Sequence, residues 1–290
     1  MPKTLAIYTR IHELRQRYYQ ISTGKEALLS LISAAEVAEQ VYNSNAIENS
    51  TLSLEETDKI LHEIDLDRYI SEREIFEAKN LARVVEYIQT KAPQQELTID
   101  LILSLHRMLL SNIRDKVAGR FRRATEYVHV GSYIAVDPEK VRPEMMRLLA
   151  TYQGAPNDSI IKRIAVAHLT FEHIHPFVDG NGRIGRVINN YLLVREGYVP
   201  INIKHIDKQK YYDAFREFDL QGKSAIMEEI VGKALTNSYH KRLAYLEGKK
   251  IIPLSEYAKV TKQSHSNLLN KANRQTIDAF LEKGVWKIGA

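Results

Sequence analysis

HPFVDGNGRIGR, His175 to Arg186, is the stretch from which the rest of the chain is read. Pro176 disfavours helical geometry at the residue before it. A helix is therefore predicted to end near Ile174, with the His175 imidazole at its mouth. Gly180 and Gly182 are predicted to let the backbone turn with its amides pointing inward. Those amides, with the start of the next helix, make an anion nest. Arg183 and Arg186 stand three apart and share a helix face. The helix dipole disfavours cations in a first turn by ~0.3–1 kcal/mol each, so two arginines there imply a compensating anion. Arginine forks match phosphate oxygens. Asp179 offers a hard oxygen suited to Mg²⁺, which usually binds substrate phosphates as well. His175 is placed to take a proton from an attacking hydroxyl. Each residue alone reads more simply as turn chemistry or structure. The combination describes attack on a metal-bound polyphosphate, in which positioning and electrostatics carry most of the catalysis.

Outward from this loop the chain reads mainly as helix. Residues 25–43, 74–91 and 98–110 carry apolar residues at helical spacing. Ser53 with Glu56 fits a capping box. Asn157-Asp158-Ser159 caps a helix through Ile174, and residues 183–196 form another, closed by Gly197 with Pro200 beyond. Pro138 opens a helix through about Leu149. Residues 126–136, β-branched and aromatic around Gly131, read as a β-hairpin. Gly248 to Pro253 reads as a hinge before a small C-terminal unit. In that unit a helix from about Ser255, a turn near Thr261-Lys262 and a second helix from Ser264 or His265 precede a strand or wing anchored by Trp286.

The 290 residues suffice for one large domain or two smaller ones. The absence of cysteine excludes disulfides and thiolate metal sites. Net charge is +5, weak support for a nucleic-acid partner. Residues 251–290 hold Lys259, Lys262, Lys271, Arg274, Lys283 and Lys287 against Glu256, Asp278 and Glu282, a surplus of three positive charges. The N-terminus shows no signal-peptide core and no uncharged run is long enough to span a bilayer, so a cytoplasmic protein without a membrane partner is expected.

The loop resembles the signature of the Fic family, H-x-F-x-(D/E)-G-N-G-R-x-x-R, at every fixed position: His175, Phe177, Asp179, Gly180, Asn181, Gly182, Arg183 and Arg186. The resemblance runs over roughly residues 35–235. It implies a mainly α fold, a Fic-type helical bundle with a short β-hairpin flap, here followed by a module similar to an excisionase-like winged helix-turn-helix. The implied division is an N-terminal helical region over 1–96, a catalytic domain over 97–236, a helical connection over 237–253 and the winged module over 254–290. The implied activity is protein adenylyltransfer, AMP passing from ATP to a Ser, Thr or Tyr hydroxyl with release of pyrophosphate, Mg²⁺ being the cofactor. By this resemblance His175 is the general base and Asp179 holds Mg²⁺. Gly180, Asn181 and Gly182 form the anion nest, Arg183 binds the leaving-group phosphates, and Arg186 holds the γ-phosphate. Phe177 is a core anchor. AGRFR, residues 118–122, is similar to the segment before the family's flap. Val128, His129, Val130 and Gly131 would then pair with an extended target segment by strand addition. KYYDAFREFD, residues 210–219, resembles the nucleoside-pocket helix, with Tyr211, Tyr212 and Asp219 near the adenosine. Family members often have a small or amide residue where Asp219 stands. His106 and His168 fit the family pattern in helical contexts that make both structural.

SNAIEN, residues 44–49, is similar to the family's inhibitory pattern (S/T)-x-x-x-E-(G/N) through Ser44, Glu48 and Asn49. Read without the family it is a helix end, with Asn49 at the left-handed position. Read with it, Glu48 pairs with Arg186 through two hydrogen bonds and keeps it from the γ-phosphate. The expectation is an autoinhibited AMP transferase acting on a target protein at the flap and on itself. Removal of AMP or another nucleotide donor stands as an alternative within enzymes. The rival of a different class is a DNA-binding regulator with a nucleotide-sensing Fic domain. In that case Ser266, Asn267, Asn270, Lys271 and Arg274 would face DNA. A homodimer is left open.

Overall fold

The computed structural model describes residues 3–130 and 133–290. Twelve helices and five short strands follow in order among these residues. Helices α1 (Lys3–Ser22), α2 (Glu26–Ile47), α3 (Leu54–Leu61), α4 (Glu72–Lys91) and α5 (Ile99–Leu110) precede a hairpin of β1 (His129–Val130) and β2 (Tyr133–Ile134). Helices α6 (Val141–Gln153), α7 (Ile160–Ile174), α8 (Asn181–Arg195), α9 (Lys208–Gln221) and α10 (Ala225–Leu246) follow. The chain ends with β3 (Ile251–Pro253), α11 (Leu254–Thr261), α12 (His265–Asn273), β4 (Ala279–Glu282) and β5 (Val285–Gly289).

Local chemistry sets most of the helix starts. Ser53 Oγ accepts from Glu56 N at 3.1 Å, and Glu56 Oε2 accepts from Ser53 N at 2.7 Å, closing the expected capping box on α3. Ser71, Thr98 and Ser159 cap α4, α5 and α7 by accepting from the amides of Glu74, Leu101 and Lys162, without the return bond. Pro138 opens a 3₁₀ turn, Pro138–Lys140, that leads into α6. The hairpin forms as expected, with His129 opposite Ile134 and Val130 opposite Tyr133; Gly131, expected in the flap, lies outside the described residues.

Some expected boundaries move. Helix α2 continues to Ile47 and takes Ser44 into its last turn. Helix α8 begins at Asn181, two residues earlier than expected, because Gly180 supplies the left-handed N-cap at φ 82°. Gly182 is therefore helical rather than a turn residue, and Arg186 lies in the second turn rather than the first.

The residues fall into two compact units. One is built from Val37–Tyr198 and Ile203–Glu228. In it α7 packs on α6, α8 and α9, and α4 packs on α3, α5 and α8. Leu105, Leu109, Ile164, Phe171, Ile184 and Leu193 are fully buried in its core. The other comprises residues up to Glu36, Val199–Asn202 and Glu229–Ala290. The divisions fall inside helices α2 and α10, so the units do not follow the sequential boundaries at 96, 236 and 253.

Within the second unit, β3, β5 and β4 form an antiparallel sheet in that order. Lys250 and Ala290 exchange backbone hydrogen bonds at 3.2 and 2.9 Å. The segment expected to be a hinge is thus a strand, fixed by its ladder with β5. The two helices and the wing-like hairpin follow the expected positions, α11 starting at Leu254 and α12 at His265 behind the Ser264 cap. Lys283 and Gly284, both at positive φ, turn β4 into β5. Trp286 packs on the cluster of Ile252, Leu254, Leu268 and Ile288.

The same unit buries an ion cluster. Arg242, at 2% side-chain exposure, bonds both oxygens of Glu36 at 3.2 and 2.6 Å, and Lys241 bridges Glu36 and Glu282 at 3.2 and 2.5 Å. Removing one member strands a buried charge. Glu36→Ala is expected to cost ~3–5 kcal/mol of stability, read as a lowered urea midpoint; an unchanged midpoint would contradict it. Among the described residues no helix is long and apolar enough to cross a membrane.

Candidate active site

The loop between α7 and α8 is held by buried polar side chains. His175 ends α7 in left-handed geometry, φ 49° and ψ 62°. Such a conformation costs ~1–3 kcal/mol outside glycine and persists where its surroundings enforce it. Arg122, buried, does the enforcing: its Nε donates to His175 O at 2.8 Å and Nη2 to Ile174 O at 3.2 Å. Nη2 also donates to Val136 O at 2.5 Å, and Arg122 N to Pro176 O at 3.0 Å, so one arginine ties the loop to the base of the hairpin. Asn181 brackets Phe177, accepting from its N–H and donating to its carbonyl, both at 2.8 Å. Phe177 is fully buried and stacks on His106 at 3.7 Å. His106 donates from Nε2 to Asp179 O at 2.9 Å and accepts at Nδ1 from Gly119 N at 3.0 Å. Burial lowers the His106 pKa to about 4, so it is a neutral structural ring, as its helical context suggested.

The two ring nitrogens of His175 differ in their surroundings. Its Nδ1 lies 3.3 Å from the Glu172 carbonyl, which can only accept, so the proton sits on Nδ1 and Nε2 carries the lone pair. Burial lowers its pKa to about 4, leaving it neutral at pH 7. The Glu172 carboxyl, pushed up to about 8 by burial and then by Glu48, is mostly protonated there.

Arg186, 138 residues from Glu48 in sequence, meets it at 2.9 Å through Nη2. This is a single hydrogen bond, where two were expected. Ser44 supplies the others: Arg186 Nε donates to Ser44 Oγ at 2.9 Å and Nη2 to Ser44 O at 2.8 Å. Nη1 donates to the Tyr211 hydroxyl at 3.2 Å. Having accepted from Arg186, that hydroxyl directs its own proton to His168 Nε2, 2.6 Å away. Burial lowers the His168 pKa to about 3, so its ring is neutral and able to accept. A Cβ at Gly182 would meet Glu48 Oε1, so a larger residue there would have to displace the Glu48 carboxylate.

The end of α2 is fastened from the segment after α8. Lys204 pairs with Glu39 at 2.6 Å, His205 N donates to Asn43 Oδ1 at 2.8 Å, and Lys208 donates to Asn49 Oδ1 at 2.6 Å. Tyr212 donates to Ile47 O at 3.2 Å. Asn49 takes the left-handed conformation expected at a helix end, φ 69°.

Asp179 receives three arginines. Arg73 Nη2 and Arg114 Nη1 lie 3.4 and 3.3 Å from Oδ2, and Arg183 Nη2 lies 3.3 Å from Oδ1. Glu77 on α4 takes Arg73 Nε and Arg183 Nη1 on one oxygen, each at 3.1 Å. Arg183 is thus buried between two carboxylates. Arg73 and Arg114 lie 106 and 65 positions from Asp179, and Glu77 lies 106 positions from Arg183. Sequence reading missed all three; the only trace was Arg73 in the first turn of α4, against the helix dipole.

Of the expected nucleoside residues, Tyr211 is fully buried and serves Arg186. Tyr212 is 38% exposed. Asp219 accepts from His173 Nδ1 at 2.8 Å, which directs its carboxylate to α7. In the hairpin, Ala135 N donates to Val128 O at 2.9 Å, and His129 is exposed with Val128 and Val130 half-buried.

Comparison with known proteins follows the same lines. Residues 96–193 match the model of the Fic/DOC family. A protein adenylyltransferase Fic from Drosophila willistoni is 33% identical over 217 residues, which cover 70% of this chain and 43% of that protein. The chain therefore spans less than half the length of the curated relatives it matches first. Among solved structures, a Fic-domain-containing signaling protein from Bacteroides thetaiotaomicron shares the fold at TM-score 0.74 and 23% identity, covering 83% of this chain and 97% of that one. Fic-1 (aa134 - 508) from C. elegans aligns at TM-score 0.71 and 26% identity, covering 82% and 70%. The chain carries a Fic domain and belongs to the Fic/DOC family.

Proposed function

We propose that the chain is an autoinhibited protein adenylyltransferase that moves AMP from ATP to a protein hydroxyl. The observation that carries this reading is the double engagement of the signature loop: His175 keeps Nε2 as a base while Glu48 holds Arg186. In the reaction the target hydroxyl oxygen forms a bond to the α-phosphorus, the bond to the β-phosphate oxygen breaks, and pyrophosphate leaves. His175 Nε2 takes the hydroxyl proton. The first amides of α8, which has no side-chain cap, face the phosphates. Arg183 and Arg186 orient them, and the hairpin backbone pairs with the target.

Asp179 suits Mg²⁺. Among the described residues no group of three or more His, Cys, Asp or Glu is placed to hold a metal ion, so an all-protein cage is lacking. Mg²⁺ usually needs only one or two carboxylates beside substrate phosphates, and Asp179 supplies one with its carbonyl fixed by His106. Bound there, the ion would neutralise charge developing on the phosphates. Labelled-nucleotide transfer by the Glu48→Gly protein, with ATP, GTP, CTP and UTP compared, tests the reading; no transfer from any donor would sink it.

A second reading concerns the C-terminal unit. Ser266, Asn267 and Asn270 are exposed on α12 with Lys271 half-buried, and Arg274 is exposed at its C-cap, so the helix and its end present a polar, basic face. That face suits duplex DNA, asparagines reading base edges and cations meeting phosphates. Binding of non-specific duplex at low salt, lost in Lys271→Ala/Arg274→Ala, is expected. Absence of binding to any duplex would refute this second reading and leave the transferase reading standing.

A further inference from the structure

We infer that Arg73 and Arg114 form an outer grip on the phosphates of the leaving group, extending the nucleotide site beyond the signature loop. The inference rests on the reading of that loop as a polyphosphate site and deepens it. Three guanidinium groups converge on Asp179, and their contacts are 3.3–3.4 Å long. Charge-assisted bonds of this kind settle at about 2.7–2.9 Å when well made. One carboxylate shared three ways serves none of them well. Glu77 relieves the crowding only partly, because the oxygen that takes Arg73 also takes Arg183. Arg73, Arg114 and Arg183 thus face two carboxylates, one positive charge in excess.

Exposure divides the three. Arg183 has 4% of its side chain exposed, while Arg73 has 57% and Arg114 has 44%. The inner arginine is fixed between Glu77 and Asp179. The outer two reach Asp179 from the solvent side, Arg73 tethered at Nε by Glu77 with Nη2 on Asp179 and Arg114 through Nη1, so both present exposed N–H groups to an incoming anion. Their placement is built into the fold. Arg73 stands in the first turn of α4 between Glu72 and Glu74, its Nε held by Glu77 and its Nη2 turned to Asp179. Arg114 follows α5, the helix whose His106 fixes the Asp179 carbonyl. Its N–H donates to Leu110 O at 3.1 Å, and Asn112 N donates to Asp115 Oδ1 at 2.9 Å, closing the short turn that carries it. The same stretch of chain therefore fixes the backbone of Asp179 and carries an arginine that meets its carboxylate.

Engagement of Asp179 by a metal ion would withdraw the carboxylate from the outer pair. The nearest replacement anion is the phosphate oxygen array that the same ion would bind. The ligand class this selects is a nucleoside polyphosphate or free pyrophosphate. A nucleoside monophosphate, lacking the leaving-group phosphates, gains nothing from the outer pair.

The test uses the full chain in the Glu48→Gly background and titration calorimetry, with Mg²⁺ present throughout. The titrants are ATP, pyrophosphate and AMP. Arg73→Ala/Arg114→Ala is expected to weaken ATP and pyrophosphate by about tenfold or more, as expected for losing hydrogen bonds to charged groups, and to leave AMP unchanged. Both positions are exposed, and an unchanged melting temperature accompanies that result. Arg73→Lys/Arg114→Lys, which keeps charge but loses the planar fork, is expected to fall between the two. Unchanged pyrophosphate affinity in the alanine pair, with ATP and AMP still bound, would overturn the outer grip alone. A Glu48→Gly protein that binds neither ATP nor pyrophosphate would overturn the grip together with the nucleotide reading beneath it.

Discussion

Glu48→Gly is expected to raise AMP transfer from labelled ATP with Mg²⁺ by about a hundredfold. A reacting group displaced by ~1 Å can lose ~10²-fold in rate, and the Glu48 carboxylate both occupies Arg186 and repels a triphosphate beside it. The geometry makes the substitution selective. Arg186 keeps its bonds to Ser44 Oγ, Ser44 O and the Tyr211 hydroxyl, so the guanidinium stays in place when Glu48 is gone. Glu48 lies just beyond the last turn of α2 and is exposed, so glycine there breaks no helix interior. Glu48→Gln separates the two effects of the carboxylate. It retains the shape and an acceptor but removes the charge, and an intermediate rate is expected. A folded Glu48→Gly protein that binds ATP without any gain in transfer would remove the inhibitory role.

His175→Ala, in the Glu48→Gly background, is expected to lower transfer by about 10²–10⁴-fold, the range for losing a positioned general base. ATP affinity should change little, because the arginines and the α8 amides are left intact; the loss then lies in kcat. The pH profile carries the sign. With burial holding the His175 pKa at about 4, Nε2 is free above that value. The contribution of His175 is therefore expected to be flat from about pH 6 upward and to fall as pH drops through about 4. An unperturbed histidine would place the fall near pH 6.5 instead. Undiminished labelling by His175→Ala would exclude it as the base.

These two predictions concern residues that the sequence already singled out, and the reasons are local. Pro176 fixes the end of α7, Gly180 fixes the start of α8, and the spacing of His175, Asp179, Arg183 and Arg186 follows from that loop–helix geometry. Ser53 with Glu56, Ser159 and Asn49 likewise announce helix ends through bonds and conformations that span a few residues. Such features survive in a linear reading because the interacting atoms are neighbours along the chain.

The rest of the candidate site was settled by contacts between distant segments. Glu77, Arg73 and Arg114 reach the loop from α4 and from the turn after α5, and nothing in their own neighbourhoods names Asp179 or Arg183 as the partner. Tyr211 was expected beside the adenosine, and only the packing of α9 on α7 buried it against Arg186 and His168. Gly182 looked like a turn residue, but Gly180 took the N-cap and left Gly182 inside α8, facing the Glu48 carboxylate that follows α2. Residues 250–253, short and proline-marked, lacked the length of a recognisable strand and became one because β5 lay alongside to exchange hydrogen bonds with it. By itself the sequence determined the family, the helical class and the phosphate-directed loop, whose determinants are local in the chain. Tertiary structure alone decided which charges share Asp179 and which side chains hold Arg186, because buried electrostatics and close packing depend on proximity in space.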